Sequence, residues 1–136
     1  KALVNQLKIT DKVTFIEWLP NHELAGIFAS VDVLVHPSEP YKGWEEQMGS
    51  TLLQASSSGL PVIATNTGGI PESIIDQKTG ILIEPKNAEA LRDAMVYLAQ
   101  HQEVRLEFGR QGREHIIANY SHRVVAKRLE DFLYSL

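Results

Sequence analysis

Apolar positions along the chain switch between a helical and a strand period, and the switches fall at turn residues. The first segment, KALVNQLKI, brings Ala2, Leu3, Leu7 and Ile9 near one helix face, with no cap before it. A chain that opens inside a helix is expected to be a piece of something longer. Lys12–Trp18 (KVTFIEW) is β-branched and aromatic, follows Thr10-Asp11, and predicts a strand. NHELAGIFASV predicts a helix with Asn21 as N-cap and Leu24, Ile27 and Phe28 on one face. Asp32–His36 predicts a second strand, stopped by Pro37, and a polar loop runs from Pro37 to Gln47. A helix is expected from Met48 to Ser58, ended by Gly59. Pro61–Thr65 predicts a strand buried on both faces. After the turn NTGG come a short helix over Ile70–Asp76, with Pro71 in its first turn, and the strand TGILI.

The last third predicts helices only. Asn87 caps the first, whose buried face is Leu91, Met95 and Leu98. The second covers Gln102–Ala118. The third starts at Ser121 and presents Val125, Leu129, Phe132 and Leu136. No internal repeat, low-complexity stretch or linker interrupts the pattern, so residues 1–136 read as one partial domain.

Strands alternating with helices imply an α/β fold: a Rossmann-like open parallel sheet with helices on both faces. Ligands of such sheets sit beyond the carboxyl ends of the strands. Here those ends lead into Pro37–Gln47 and Asn66–Gly69, and function is sought there.

Composition narrows the chemistry. Lys and Arg number 13 against 17 Asp and Glu, a net charge of −4, which gives no general attraction to nucleic acid. There is no cysteine, so disulfides, thiolate zinc sites and cysteine nucleophiles are excluded. No segment reads as a signal peptide, and no apolar run approaches the roughly 18 residues that span a bilayer. No histidine spacing suggests a metal site, and neither a Walker-type loop nor G-x-G-x-x-G is present.

What remains is concentrated around one helix start. Unpaired N–H groups of Met48, Gly49, Ser50 and Thr51 would face the loop, a ready anion site where glycine permits close approach. The Ser50 and Thr51 hydroxyls could add donors. A carboxylate at Glu46 would repel phosphate, so it suits neutral hydroxyls beside it. Gln54 lies about two turns further along. Together these groups fit a molecule with hydroxyls at both ends and a diphosphate between, which is the shape of a sugar nucleotide. The plainer alternative is that Glu46 only stabilises the helix start. Gly68-Gly69 is a tight turn or a backbone surface near the ligand, and Glu72 a favourable first-turn acid. Tyr41 and Trp44 could stack on a ring or pack the loop, and Lys42 could meet phosphate or water. His36, at a strand end, reads as a satisfied or packed histidine rather than a catalytic base. His22, His101, His115 and His122 read as surface positions.

Three stretches in order, VDVLVHPS, EQMGSTLLQASSSGLPVIATNTGGIPESI and KTGILIEP, resemble the donor-binding lobe of retaining GT-B glycosyltransferases of family 4. The likeness runs from about Val13 to the C-terminus and is densest over Val31–Pro85.

The resemblance implies transfer of a hexosyl group from a nucleotide diphosphate sugar to a hydroxyl, with retention, in polysaccharide or glycoconjugate biosynthesis. It implies no cofactor and no metal. Such enzymes carry two glutamates with seven residues between them. Glu46 matches the first, beside the donor sugar and phosphates. The second, which holds the ribose, is Gln54 here. Glutamine keeps one carbonyl acceptor but loses the charge and the two-oxygen grip. That change motivates a second reading, a non-catalytic module for assembly or regulation. GSTLL matches the segment whose backbone meets the diphosphate. The family's basic phosphate-binding pair and its acceptor-binding N-terminal lobe have no match. The implied partners are therefore a sugar nucleotide and that lobe, with no nucleic acid. The implied location is cytoplasmic, with peripheral contact at the inner face of a membrane through that lobe left open.

Overall fold

The computed structural model describes all 136 residues, Lys1–Leu136. At its centre is a parallel sheet of three strands in the order β1-β2-β3: β1 (Leu34–His36), β2 (Val62–Thr65) and β3 (Gly80–Ile83). Leu34 lies opposite Val62 and His36 opposite Ala64, while Val62 and Thr65 lie opposite Gly80 and Ile83. Every residue of β2 is buried, as an unbroken apolar run in a central strand requires.

The two faces of β2 build two cores. Val62 and Ala64 pack among Phe28, Leu52, Ala55, Ile70 and Ile74. These come from α2 (Leu24–Ala29), α3 (Ser50–Ser57) and α4 (Ile70–Ser73), with Ile74 just beyond. Ile63 points the other way and packs with Ile81, Ile83, Ala94, Leu98 and Phe108. That layer is α5 (Ala88–Gln100) and α6 (Gln102–Tyr120). Helices therefore cover both faces, as the alternation of elements implies. A Cβ on Gly109 would come within 2.0 Å of the Gly59 carbonyl oxygen, so only glycine lets α6 lie this close to the start of β2. Gly112 lies beside Thr79, before β3, where a Cβ would sit at an ordinary contact distance of 3.5 Å from the Thr79 carbonyl oxygen. This packing closes the amino ends of the strands and leaves the carboxyl ends to the loops.

Local signals hold where they concern caps and stops. Gly59 adopts φ +81° after α3, a conformation that costs glycine little, and the Leu60 N–H closes the helix onto Ala55 O at 3.1 Å. Asn87 Oδ1 accepts from Ala90 N at 2.9 Å and starts α5. Several boundaries contract. The strand expected from Asp32 begins at Leu34, the helix expected from Met48 begins at Ser50, and α4 stops at Ser73 because Ile74 is already extended.

Four expectations are overturned. Lys12–Trp18 forms no strand: Thr10–Lys12 is a 3-10 turn, and the following residues carry no ladder. Their β-pattern meets no partner strand, and Phe15, Ile16 and Trp18 stay exposed. Asn21 is not a helix cap. It starts a 3-10 turn, Asn21–Glu23, and its side chain makes no capping bond. Met95 is 48% exposed while Leu98 is fully buried; the buried partner on α5 is Ala94, one residue round the helix. His101 and His115 are half-buried rather than surface groups, His101 through Nδ1 to the Tyr97 carbonyl and His115 against Asn119 and Tyr120. At the two ends, α1 (Ala2–Gln6) leaves Leu3 and Leu7 exposed. Helix α7 (His122–Tyr134) buries no residue and exposes Val125, Leu129, Phe132 and the following Leu136.

Candidate functional site

The two loops singled out in the sequence meet beyond the carboxyl ends of β1 and β2. Thr65, the last residue of β2, donates its hydroxyl to Ser38 O at 2.7 Å and ties down the first loop. The Gly69 N–H donates to Glu46 O at 2.8 Å. A Cβ on Gly68 would lie 2.0 Å from Glu46 O, and one on Gly69 would lie 1.8 Å from Gln47 O. The glycine pair is therefore a backbone-on-backbone clamp that fixes where Glu46 stands, beyond its role as a turn.

Glu46 is held at both carboxylate oxygens. Oε1 accepts from Gly49 N at 3.2 Å, and Oε2 lies 3.4 Å from His36 Nε2. Both side chains are 22% exposed, enough for a ligand to reach them. Gly49 is the N-cap of α3 at φ +64°, and a Cβ there would sit 2.6 Å from Leu52 Cδ1. Its conformation and the Leu52 core side chain both demand glycine. Because Glu46 takes the Gly49 N–H, the N–H groups of Ser50 and Thr51, which have no intrahelical acceptor, remain for an outside anion. Met48 lies before the helix, which starts at Ser50, so its N–H is not part of the helix start.

Gln54 does not join Glu46. It lies one turn further into α3, about 6 Å along the axis from Ser50. There it lines a groove of about 210 Å³ with Asn21, Leu24, Ala25, Phe28, Ser57 and Ser58. The α3 N-terminus thus lies between a carboxylate on one side and an amide-lined groove on the other. Tyr41 and Trp44 exchange two backbone hydrogen bonds of 2.9 Å around Lys42 (φ +48°) and Gly43 (φ +81°). This tight turn holds both rings at the surface, with Lys42 Nζ 5.2 Å from the centre of the Tyr41 ring. Glu72 stands in the first turn of α4, and its carbonyl accepts from the Tyr120 hydroxyl. No group of three or more His, Asp or Glu side chains converges.

Sequence reasoning undervalued two residues. His36 is a satisfied histidine as expected, but its partner is Glu46, which its place as the last residue before the loop that carries Glu46 could have signalled. Asn21 looked like a cap, yet it faces the Gln54 groove, and nothing in its local pattern marks that contact.

The family model for glycosyl transferases group 1 matches residues 1–115. The chain is 32% identical over 135 residues to a GDP-mannose-dependent alpha-(1-6)-phosphatidylinositol monomannoside mannosyltransferase of Mycobacterium tuberculosis. That match covers 98% of this chain and 35% of the relative. Among solved structures it superposes on a sucrose-phosphate synthase from Thermosynechococcus elongatus with a TM-score of 0.85 and 28% identity, over 98% of this chain and 32% of that one. A HepE structure from Anabaena in complex with UDP shares the fold at TM-score 0.90 with 18% identity, over 99% of this chain and 35% of that one. The chain spans about one third of the length of the relatives it matches.

Proposed function

Because this chain belongs to the glycosyl transferases group 1 family, we propose that residues 1–136 form part of the donor side of a hexosyltransferase that uses a nucleotide diphosphate sugar. One observation carries the reading. A carboxylate, Glu46, is fixed beside the open N–H groups of Ser50 and Thr51, with the Gln54 groove next along the same helix. The diphosphate lies at the α3 N-terminus, where backbone donors and the helix dipole favour negative charge. Glu46 would repel that charge directly, so it accepts from hydroxyls of the sugar. Gln54 and Asn21 meet the ribose end, the amide of Gln54 accepting from one hydroxyl and donating to another.

Transfer breaks the bond from the anomeric carbon to the diphosphate, whose oxygen keeps the electron pair, and forms one to an acceptor hydroxyl oxygen on the same face, with the hydroxyl proton passing to the leaving diphosphate. Negative charge grows on the leaving diphosphate, and the Ser50 and Thr51 N–H groups stabilise it there. The mannosyltransferase relative, GDP-mannose-dependent by name, supports a sugar-nucleotide donor. The relatives' length supports a second lobe that supplies the acceptor site and further basic groups. Peripheral contact with a membrane would run through that lobe. No helix of this chain is long and apolar enough to cross one.

The test is a titration of the full-length protein with UDP, GDP and ADP by ligand-observed NMR. The expected result is selective binding of one nucleotide, weakened about tenfold by Asn21→Ala and Gln54→Ala together, the two side chains placed at the ribose end. Silence toward all three overturns the donor-site reading.

A further inference from the structure

We propose that His36 is a positioning residue for Glu46, holding its carboxylate in the orientation that receives sugar hydroxyls. This rests on the donor-site reading above. His36 closes β1 and pairs with Ala64 of the fully buried β2, so its backbone is fixed by the core. Its Nε2 has two polar neighbours, Glu46 Oε2 at 3.4 Å and Ser38 Oγ at 3.0 Å. The opposite carboxylate oxygen is held by Gly49 N at 3.2 Å. Glu46 is thus bracketed from two different elements, a strand end and a helix start, and cannot turn without giving up one of them.

One ring nitrogen carries at most one proton, and that decides what His36 does. With the proton on Nε2, the ring donates toward Glu46 Oε2 and Ser38 Oγ. With it on Nδ1, the Ser38 hydroxyl donates to Nε2, and a lone pair faces the carboxylate. The carboxylate therefore selects the Nε2–H form. A histidine placed only to fill the strand end would not need an N–H aimed at a ligand-facing carboxylate. Losing that N–H frees Oε2 to swing while leaving the α3 N-terminus and the Gln54 groove untouched. The predicted defect is accordingly specific to the sugar half of the donor.

The experiment compares affinities of the full-length protein for GDP and GDP-mannose, for UDP and UDP-glucose, and for ADP and ADP-glucose, by calorimetry. His36→Leu is expected to weaken the sugar nucleotide about five- to tenfold and the matching nucleotide by less than about twofold. His36→Gln, whose amide N–H reaches nearly as far as Nε2–H, is expected to restore the sugar nucleotide to within about twofold of wild type. In a Glu46→Gln background, His36→Leu is expected to add little, since the two act as one unit. The proposal is overturned if His36→Leu weakens nucleotide and sugar nucleotide equally, if it weakens neither, or if the two substitutions simply add. Should His36→Leu fail to fold, His36→Asn makes the same test, because its shorter amide cannot reach Oε2. A wild-type protein that binds none of the six ligands overturns the donor-site reading instead, a result distinct from normal wild-type binding with indifferent His36 variants.

Discussion

Residues 12–18 and 61–65 carry similar β-patterns, and the fold treats them in opposite ways. Val62, Ile63, Ala64 and Thr65 are all at most 2% exposed, paired on both sides and covered by helices on both faces. In the other segment Phe15 is 49%, Ile16 57% and Trp18 80% exposed, and no ladder bond is made. Propensity is the same in kind; what differs is a partner strand for the backbone groups. The difference matters for function because Glu46 is anchored through the first kind of region. Its loop is clamped by Gly69, which follows β2, and capped by His36, which ends β1. A site hung on the unpaired segment would have no such anchor.

Three substitutions sharpen that contrast. Leu52→Ala removes a fully buried side chain that packs under Gly49, and should destabilise by about 3 kcal/mol in denaturant titration. Gly69→Ala drives a methyl group into the Gln47 carbonyl and should cost about 2 kcal/mol. Unlike Leu52→Ala it should displace Glu46 directly, so sugar-nucleotide affinity should fall even under conditions where the variant is fully folded. Trp18→Ser, in the segment that is unpaired within residues 1–136, should change the stability of that chain by less than about 0.5 kcal/mol in the same titration. An effect as large as that of Leu52→Ala would mean that Trp18 is buried against something, and the contrast would break.

The smallest effect lies far from both regions, on α6. Hydrogen bonds from Arg110 and then Gln111 hold the Glu107 carboxyl down to about 2. A depressed carboxyl contributes stability above its ordinary value of 4.5, and that contribution is lost as pH falls from 4.5 toward 2. Glu107→Gln should therefore lower the melting temperature slightly at neutral pH and flatten its fall below pH 4.5, leaving ligand affinity unchanged.

Local chemistry was legible in the sequence where it is self-contained. Gly59 as a stop, Asn87 as a cap and the buried run at Pro61–Thr65 each follow from a residue and its neighbours. Features that depend on distant chain were not legible. The Lys12–Trp18 pattern says nothing about whether a partner strand exists. Met95 and Ala94 lie one residue apart on α5, and packing of Ile63 and Phe108 decides which of them is covered. At the site, Glu46 and Gly49 could be paired from their spacing. The approach of Gly68-Gly69 and His36 to Glu46 could not, because it comes from the parallel register of β1 on β2.

The central claim is that the diphosphate of a nucleotide meets the start of α3. The direct measurement is the backbone amide NMR spectrum of the isotope-labelled full-length protein during titration with whichever of UDP, GDP and ADP binds. The account predicts that the Ser50 and Thr51 amide signals shift most, with Gly49 following through its bond to Glu46. Saturable binding that leaves Ser50 and Thr51 unmoved while amides elsewhere shift would contradict it.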